Sequence, residues 1–139
     1  MKKLVLLFIL YLHSASFVFA LGGDEVIGKY HLPNQLDIEI FKSGEKYFGK
    51  IIGLEGFNGG QQLDINNPDE ALRAEALMGK IIIKNLEFEP SDNEWVSGSM
   101  YGPEKGLVFN LRIVDLGDNE LKVVASKYFF RKSLIWQKI

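Results

Sequence analysis

The chain has 139 residues, with 16 basic and 18 acidic side chains, two histidines and no cysteine. That length suits one domain with one core, and the lack of thiols excludes disulfides, thiolate metal sites and cysteine nucleophiles. The mildly acidic balance, without a basic stripe, argues against nucleic acid and against an anionic membrane surface as partner.

Residues 1–20 have the three-part layout of a secretory signal peptide. Lys2 and Lys3 give a positive start, Leu4 to Leu12 form an apolar run, and Val18 and Ala20 are the small pair before a cut. The run is short for a membrane span and no basic stop-transfer cluster follows. The expected product is a periplasmic or secreted protein of residues 21–139, a single domain with no membrane span after cleavage. Loss of Lys2 and Lys3 leaves 14 basic against 18 acidic residues, a net charge near −4. His13 leaves too, so His31 is the one remaining imidazole. Zinc binding and histidine-based catalysis are therefore poorly supplied; no enzyme, cofactor or metal site is expected.

The remainder reads as short strands. After Val26–His31, the segment Leu36-Asp37-Ile38-Glu39-Ile40 alternates strictly, with three apolar side chains on one face and both acids on the other. Ser43-Gly44 turns the chain into Lys46–Leu54, where Gly49 and Gly53 predict strong coiling or a bulge. Gly56 to Gly60 is a loop, and no helix or Lys-Ser/Thr pair follows it to make a phosphate cradle. Asn67 as cap, Pro68 at the first helical position and Asp69-Glu70 in the first turn predict a helix of two to three turns, stopped by Gly79. Strands resume at Lys80–Leu86 and Trp95–Tyr101. In the second, Trp95, Ser97, Ser99 and Tyr101 are expected on one face. Leu107–Val114, Glu120–Phe130 and Ser133–Gln137 follow, with turns at Gly102–Gly106 and Gly117-Asp118-Asn119. About eight strands with short connections predict a mainly β fold, a small antiparallel up-and-down barrel with one short helix.

Tyr47–Leu54 (YFGKIIGL), Asp64–Gly79 (DINNPDEALRAEALMG), Glu94–Gly106 (EWVSGSMYGPEKG) and a terminal strand ending at Trp136 together resemble a family of small secreted bacterial proteins classed as a domain of unknown function. The resemblance runs from Gly28 to Trp136. Its most specific part is Asp-x-x-Asn-Pro-Asp combined with the later Trp-x-x-Gly and Tyr-x-Pro-x-x-Gly. It implies a lipocalin-like barrel enclosing a cavity; it brings architecture rather than activity. On this match Asp64, Asn67, Pro68, Asp69, Gly79, Gly98, Pro103 and Gly106 form the structural motif. The chain departs from the family in having Gly28-Lys29-Tyr30 for Gly-x-Trp and Tyr101-Gly102-Pro103 for Tyr-Asp-Pro. It also has Ala125-Ser126 and Arg131-Lys132 where glycines are usual.

Asp64, Asn66, Asp69 and Glu70 lie within seven residues, but Pro68 stiffens their centre and they read as a helix start and loop brace, not a calcium loop. Asp37 and Glu39 alternate with an apolar face, which suits a solvated exterior better than an acid–base pair. His31 has no nucleophile at a helpful spacing. An eight-stranded barrel is wide enough to hold one small molecule. Tyr30, Trp95, Tyr101, Phe109, Leu111 and Trp136 are the candidate ligand-binding residues, alongside their plainer reading as core. Ser97, Ser99, Asn110 and Arg112 would suit an amphipathic guest if they face inward, but the more apolar set of Leu107, Phe109, Leu111 and Ile113 places Arg112 outside. The expectation is a non-enzymatic binding protein for a small hydrophobic or amphipathic molecule. The rival is an envelope protein-protein interaction module whose filled barrel docks a partner through the Gly56–Gly60 loop and the 101–106 turn.

Overall fold

The computed structural model describes residues 22–139; the leader expected over residues 1–20 lies outside the described residues. Eight strands follow one another in chain order: β1 (Gly28–His31), β2 (Asp37–Ser43), β3 (Lys46–Gly53), β4 (Ile81–Glu89), β5 (Glu94–Gly102), β6 (Leu107–Leu116), β7 (Glu120–Lys127) and β8 (Phe130–Lys138). Each pairs antiparallel with the next. The ring closes where Tyr30 and His31 of β1 meet Lys138 and Gln137 of β8, so the sheet has no free edge. The expected closed antiparallel barrel is therefore present.

Alternation sets its interior. Ile38 and Ile40 of β2, Leu111 and Ile113 of β6, and Leu121 and Val123 of β7 are buried, while their neighbours in sequence are less so. Leu111 and Ile113 inward put Arg112 outward, where its guanidinium meets Glu94 at 2.7 Å. Bulges tighten the coil as the glycines predict. β3 and β4 slip register on both sides of Gly49, whose missing Cβ leaves room for Ile83.

Three elements differ from the sequence expectation. The helix over 67–77 is one 3-10 turn, Glu70–Leu72, capped by the Asp69 side chain rather than by Asn67. Its residues find better partners elsewhere. Asp64 N–H donates to Glu75 O at 2.9 Å and Leu77 N–H to Gln62 O at 3.0 Å, with a bridge between Leu63 and Ala76. The segment thus doubles back on itself as a narrow hairpin, which a helix too short to be stable alone cannot outcompete. The second difference is in β5. Trp95 pairs with Ile113 and Gly98 with Leu111, so Val96 and Ser97 together oppose Arg112, with Ser97 at φ 61°. This bulge flips the strand's parity. Trp95, Gly98, Met100 and Gly102 share the interior face; Ser99 and Tyr101 are turned outward. The β7–β8 hairpin also turns earlier than expected, at Tyr128-Phe129.

One end of the barrel is closed. The segment Gly22–Ile27 crosses it, with Val26 buried, and three aromatic side chains hold its backbone. Trp95 Nε1–H donates to Gly23 O (2.9 Å), the Tyr47 hydroxyl to Gly22 O (3.0 Å) and Asp24 Oδ1 (2.6 Å), and the Tyr30 hydroxyl to Val26 O (2.8 Å). The β1–β2, β3–β4, β5–β6 and β7–β8 connections gather at the other end.

Candidate functional site

That other end opens into a cup of about 400 Å³. Met100 of β5, Phe109 of β6, Ala125 of β7 and Leu134 and Trp136 of β8 form its wall, with Leu32 from the β1–β2 connection. Glu104, Lys105, Phe130 and Lys132 stand around the mouth. Below the cup, Tyr30, Leu111, Ile113 and Trp95 are all buried and fill the lower barrel. The interior is thus half core and half cup.

One polar atom in the cup has no partner among the described residues. Glu104 Oε2 is shielded from solvent and accepts no hydrogen bond from them. Its carboxylate lies over Gly102, about where a side chain at that position would begin; a Cβ there would come within 3.5 Å of both Glu104 oxygens and 3.4 Å of the Phe109 ring. A glycine at 102 therefore lets the acid fold in against the aromatic wall. A shielded acceptor without a donor is costly, and the cost falls when a ligand brings one.

Of the six candidate ligand-binding residues, Phe109 and Trp136 line the cup. Tyr30 and Leu111 lie in the packed core and Trp95 at the closed end, bonded to Gly23. Tyr101 lies on the outer face because of the β5 bulge, and so do Ser99, Asn110 and Arg112; Ser97, inside the bulge, is exposed. The sequence reading missed Met100, Ala125, Glu104 and Lys132. Period-two alternation back from Trp136 through Leu134 to Lys132 and Phe130 carries the signal for the β8 wall. Met100 is hidden from such reasoning by the bulge.

The motif residues other than Gly98, which lies on the interior face of β5 against Leu86, converge outside the barrel. Asp64 is fully buried and is the hub: Oδ1 accepts from the Tyr101 hydroxyl (2.6 Å), and Oδ2 accepts from Asn67 Nδ2 (2.8 Å) and Lys80 Nζ (3.1 Å). Asn67 Oδ1 accepts from Asp69 N–H (2.9 Å), and Asp69 Oδ1 from Ala71 N–H (3.0 Å). Asn66 Nδ2 donates to the carbonyls of Pro103 (3.2 Å) and Glu104 (3.1 Å). The β3–β4 excursion is thereby pinned to the β5–β6 turn, the turn that carries Glu104. Gly106 sits where they touch; a Cβ there would lie 1.9 Å from Asn66 O and 3.4 Å from the Pro68 ring. Gly79, at φ 81°, donates to Ile51 O at 2.8 Å and returns the excursion to the sheet.

Electrostatics match this role. Burial pushes the Asp64 carboxyl up, but hydrogen bonds from Tyr101, Asn67 and Lys80 outweigh it and hold the group below its usual range. Burial lowers the Lys80 ammonium, yet Asp64 and Glu75 raise it overall. Burial and the bond to Asp64 both push the Tyr101 phenol upward. Each shift favours the ionisation state in which the three groups pair, as a brace requires.

His31 Nδ1 and Asp37 Oδ1 are 2.6 Å apart across β1 and β2. Asp64 and Asp69 are engaged elsewhere, so these groups share no hydrogen bond with His31. Among the described residues no three His, Asp or Glu side chains gather to hold a metal ion. A second depression, of about 500 Å³, lies beside Gly22 among Lys42, Glu45, Lys46 and Glu87, where the described chain begins. No helix among the described residues is long and apolar enough to cross a membrane.

Residues 28–138 match the family model described as "Uncharacterized protein conserved in bacteria (DUF2147)". The chain belongs to the DUF2147 family. This is the family of unknown function that the motif residues suggest, and those residues apart from Gly98 gather in and around the brace at Asp64. Among solved structures, protein HP1028 from the human pathogen Helicobacter pylori, described as belonging to the lipocalin family, superposes with a TM-score of 0.71. It is 18% identical, and the alignment covers 82% of each chain; the likeness is one of fold. No curated protein matches the sequence. This DUF2147 chain is thus a lipocalin-like eight-stranded barrel.

Proposed function

We propose that this protein is an exported, non-enzymatic carrier of a small amphipathic molecule, held in the cup with its apolar body against Phe109 and Trp136. The observation that carries the reading is the pairing of that apolar wall with the donor-less Glu104 Oε2. A cup of about 400 Å³ falls in the range that takes one small ligand. Burial of the ligand's apolar surface drives binding, and a hydrogen-bond donor at its other end (a hydroxyl, amide or amine) satisfies Glu104. Lys105 and Lys132 at the mouth disfavour a ligand that carries a net positive charge beyond that donor. The leader over residues 1–20 supports export to the periplasm or beyond.

Native mass spectrometry of protein recovered from the exported fraction, followed by denaturation and analysis of what is released, tests the reading. A reproducible adduct of small-molecule mass, lost in Glu104→Gln or when the cup is filled, supports a carrier and identifies its cargo. Protein that stays bare after incubation with lipid and metabolite extracts sinks it. The interaction-module reading would then lead, since the braced 103–106 turn is rigid enough to present a docking surface.

A further inference from the structure

The mouth of the cup is built differently from the rest of the surface. The β7–β8 hairpin ends in Tyr128-Phe129-Phe130, three consecutive aromatic residues exposed at 91%, 106% and 60%. Phe129 touches nothing that hides it. On the neighbouring strand Leu107 and Val108 are exposed as well, and Lys127 Nζ reaches Val108 O at 2.9 Å, tying the two strands together at this rim. Aromatic and aliphatic side chains therefore form one protruding apolar patch, of a kind that soluble surfaces rarely leave uncovered.

The charges that flank it in sequence are basic. Lys127, Arg131 and Lys132 flank the aromatic tip in sequence, and Lys105 stands across the same mouth. Glu104, the acid that lines the same mouth, is folded into the cup. The chain's overall acidity, 18 acidic against 16 basic residues, hides this local basic cluster. A net charge argues only about the average surface, so the expectation against an anionic membrane does not bear on this rim by itself.

We propose that the rim of the barrel docks on an anionic lipid surface, with Tyr128, Phe129 and Phe130 inserted at the headgroup level and Lys105, Lys127, Arg131 and Lys132 against lipid phosphates. A convex aromatic tip suits insertion into a soft interface, where Phe129 and Phe130 bury apolar rings and the Tyr128 hydroxyl can stay at the polar headgroup level. A basic collar adds attraction to anionic headgroups that a neutral lipid surface cannot supply. Docked this way, the cup opens toward the lipid. The inference goes beyond the carrier reading and stands without it.

Vesicle flotation tests it, using the exported protein and variants whose intact masses show the same N-terminus. Wild-type protein is expected to float with mixed phosphatidylglycerol–phosphatidylcholine vesicles, to remain behind with pure phosphatidylcholine, and to be released by high salt. Phe129→Ser and Arg131→Glu lie outside the cup wall; each is expected to weaken binding about tenfold while leaving the melting temperature unchanged. No flotation, or equal flotation of wild type and Phe129→Ser, overturns the proposal. So does a Phe129-dependent dimer in vesicle-free solution, which would assign the patch to a second copy of the chain. Ala125→Phe, which fills the cup, is expected to float like wild type. Loss of cargo and loss of docking are therefore separate results.

Discussion

Tyr101 and Asp64, 37 residues apart, share a 2.6 Å hydrogen bond that ties the outer face of β5 to the long β3–β4 excursion. Tyr101 faces outward because of the β5 bulge, and Asp64 is buried because the excursion folds over it. Neither placement is useful without the other. The bond, together with Lys80 on the same carboxylate, fixes the 103–106 turn and hence the position of Glu104 at the cup.

Removing either partner should therefore cost more than an average surface change. Asp64→Asn leaves Lys80 with only the exposed Glu75 as counter-charge, costs the hub its charge-assisted bonds, and is expected to lose about 2 kcal/mol. Tyr101→Phe deprives a buried carboxylate of one donor and should lose about 2 kcal/mol. Denaturant unfolding of the two single variants and the double variant checks this. Because both act on one network, the double variant should lose clearly less than the sum of the singles. Strict additivity would mean that the two residues act independently.

The same network predicts a stability plateau in pH. The Asp64 carboxyl is held below its ordinary value, so its contribution is intact above about pH 4 and fades as pH falls through the folded value. Lys80 and Tyr101 are raised, so their contributions are intact below about pH 10 and fade as pH rises through their folded values. Melting temperature against pH should show a flat centre with losses at both ends. Asp64→Asn should melt lower throughout and lose less further stability in acid. Parallel acid limbs in wild type and variant would assign the titration to other groups.

Gly106→Ala offers a steric test. Gly106 has φ 67°, and a Cβ there would meet Asn66 O at 1.9 Å, an atom of backbone that no rotamer change can move. The expected loss is about 3 kcal/mol, from strain and from displacement of the excursion. Gly44 makes the control. Its φ is 62°, but nothing lies within 4 Å, so Gly44→Ala should lose only about 1 kcal/mol. Equal melting temperatures for the two variants would show that the contact at Gly106 relaxes freely.

What the sequence made legible follows from range. Alternation in Leu36–Ile40 and Leu107–Val114 is local, and it correctly gave the inner face of β2 and β6, with Arg112 outside. The barrel followed from strand count and from the short turns that join most of the strands. The bulge at Val96-Ser97 was not legible, because it is set by pairing across to Arg112 and by Leu86 filling the space beside Gly98. One extra residue there moved Tyr101 out of the cup and Met100 into it. The helix signal at Asn67–Leu77 was locally sound, and it lost to long-range partners: Gln62 and Asp64 for the backbone, Tyr101 and Lys80 for the side chains. The basic rim was also invisible to a total charge, since it exists only once the β5–β6 and β7–β8 turns meet.

The two tryptophans allow the cup to be read directly. Trp136 is on its wall, whereas Trp95 is at the closed end with its indole N–H bonded to Gly23 O. A ligand entering the cup should change the emission of Trp136 and leave that of Trp95 largely as it was. Ala125 faces the same space from β7, opposite Lys132 of β8. Ala125→Phe places a ring in the opening and should abolish the ligand-dependent change, with a shift in stability within about 1.5 kcal/mol because the added atoms enter a void rather than a packed core. Trp136→Phe should remove the fluorescence response but retain much of the binding, as measured by released ligand. If the response survives in Trp136→Phe and disappears in Trp95→Phe, the ligand lies at the closed end, and the cup is not its site.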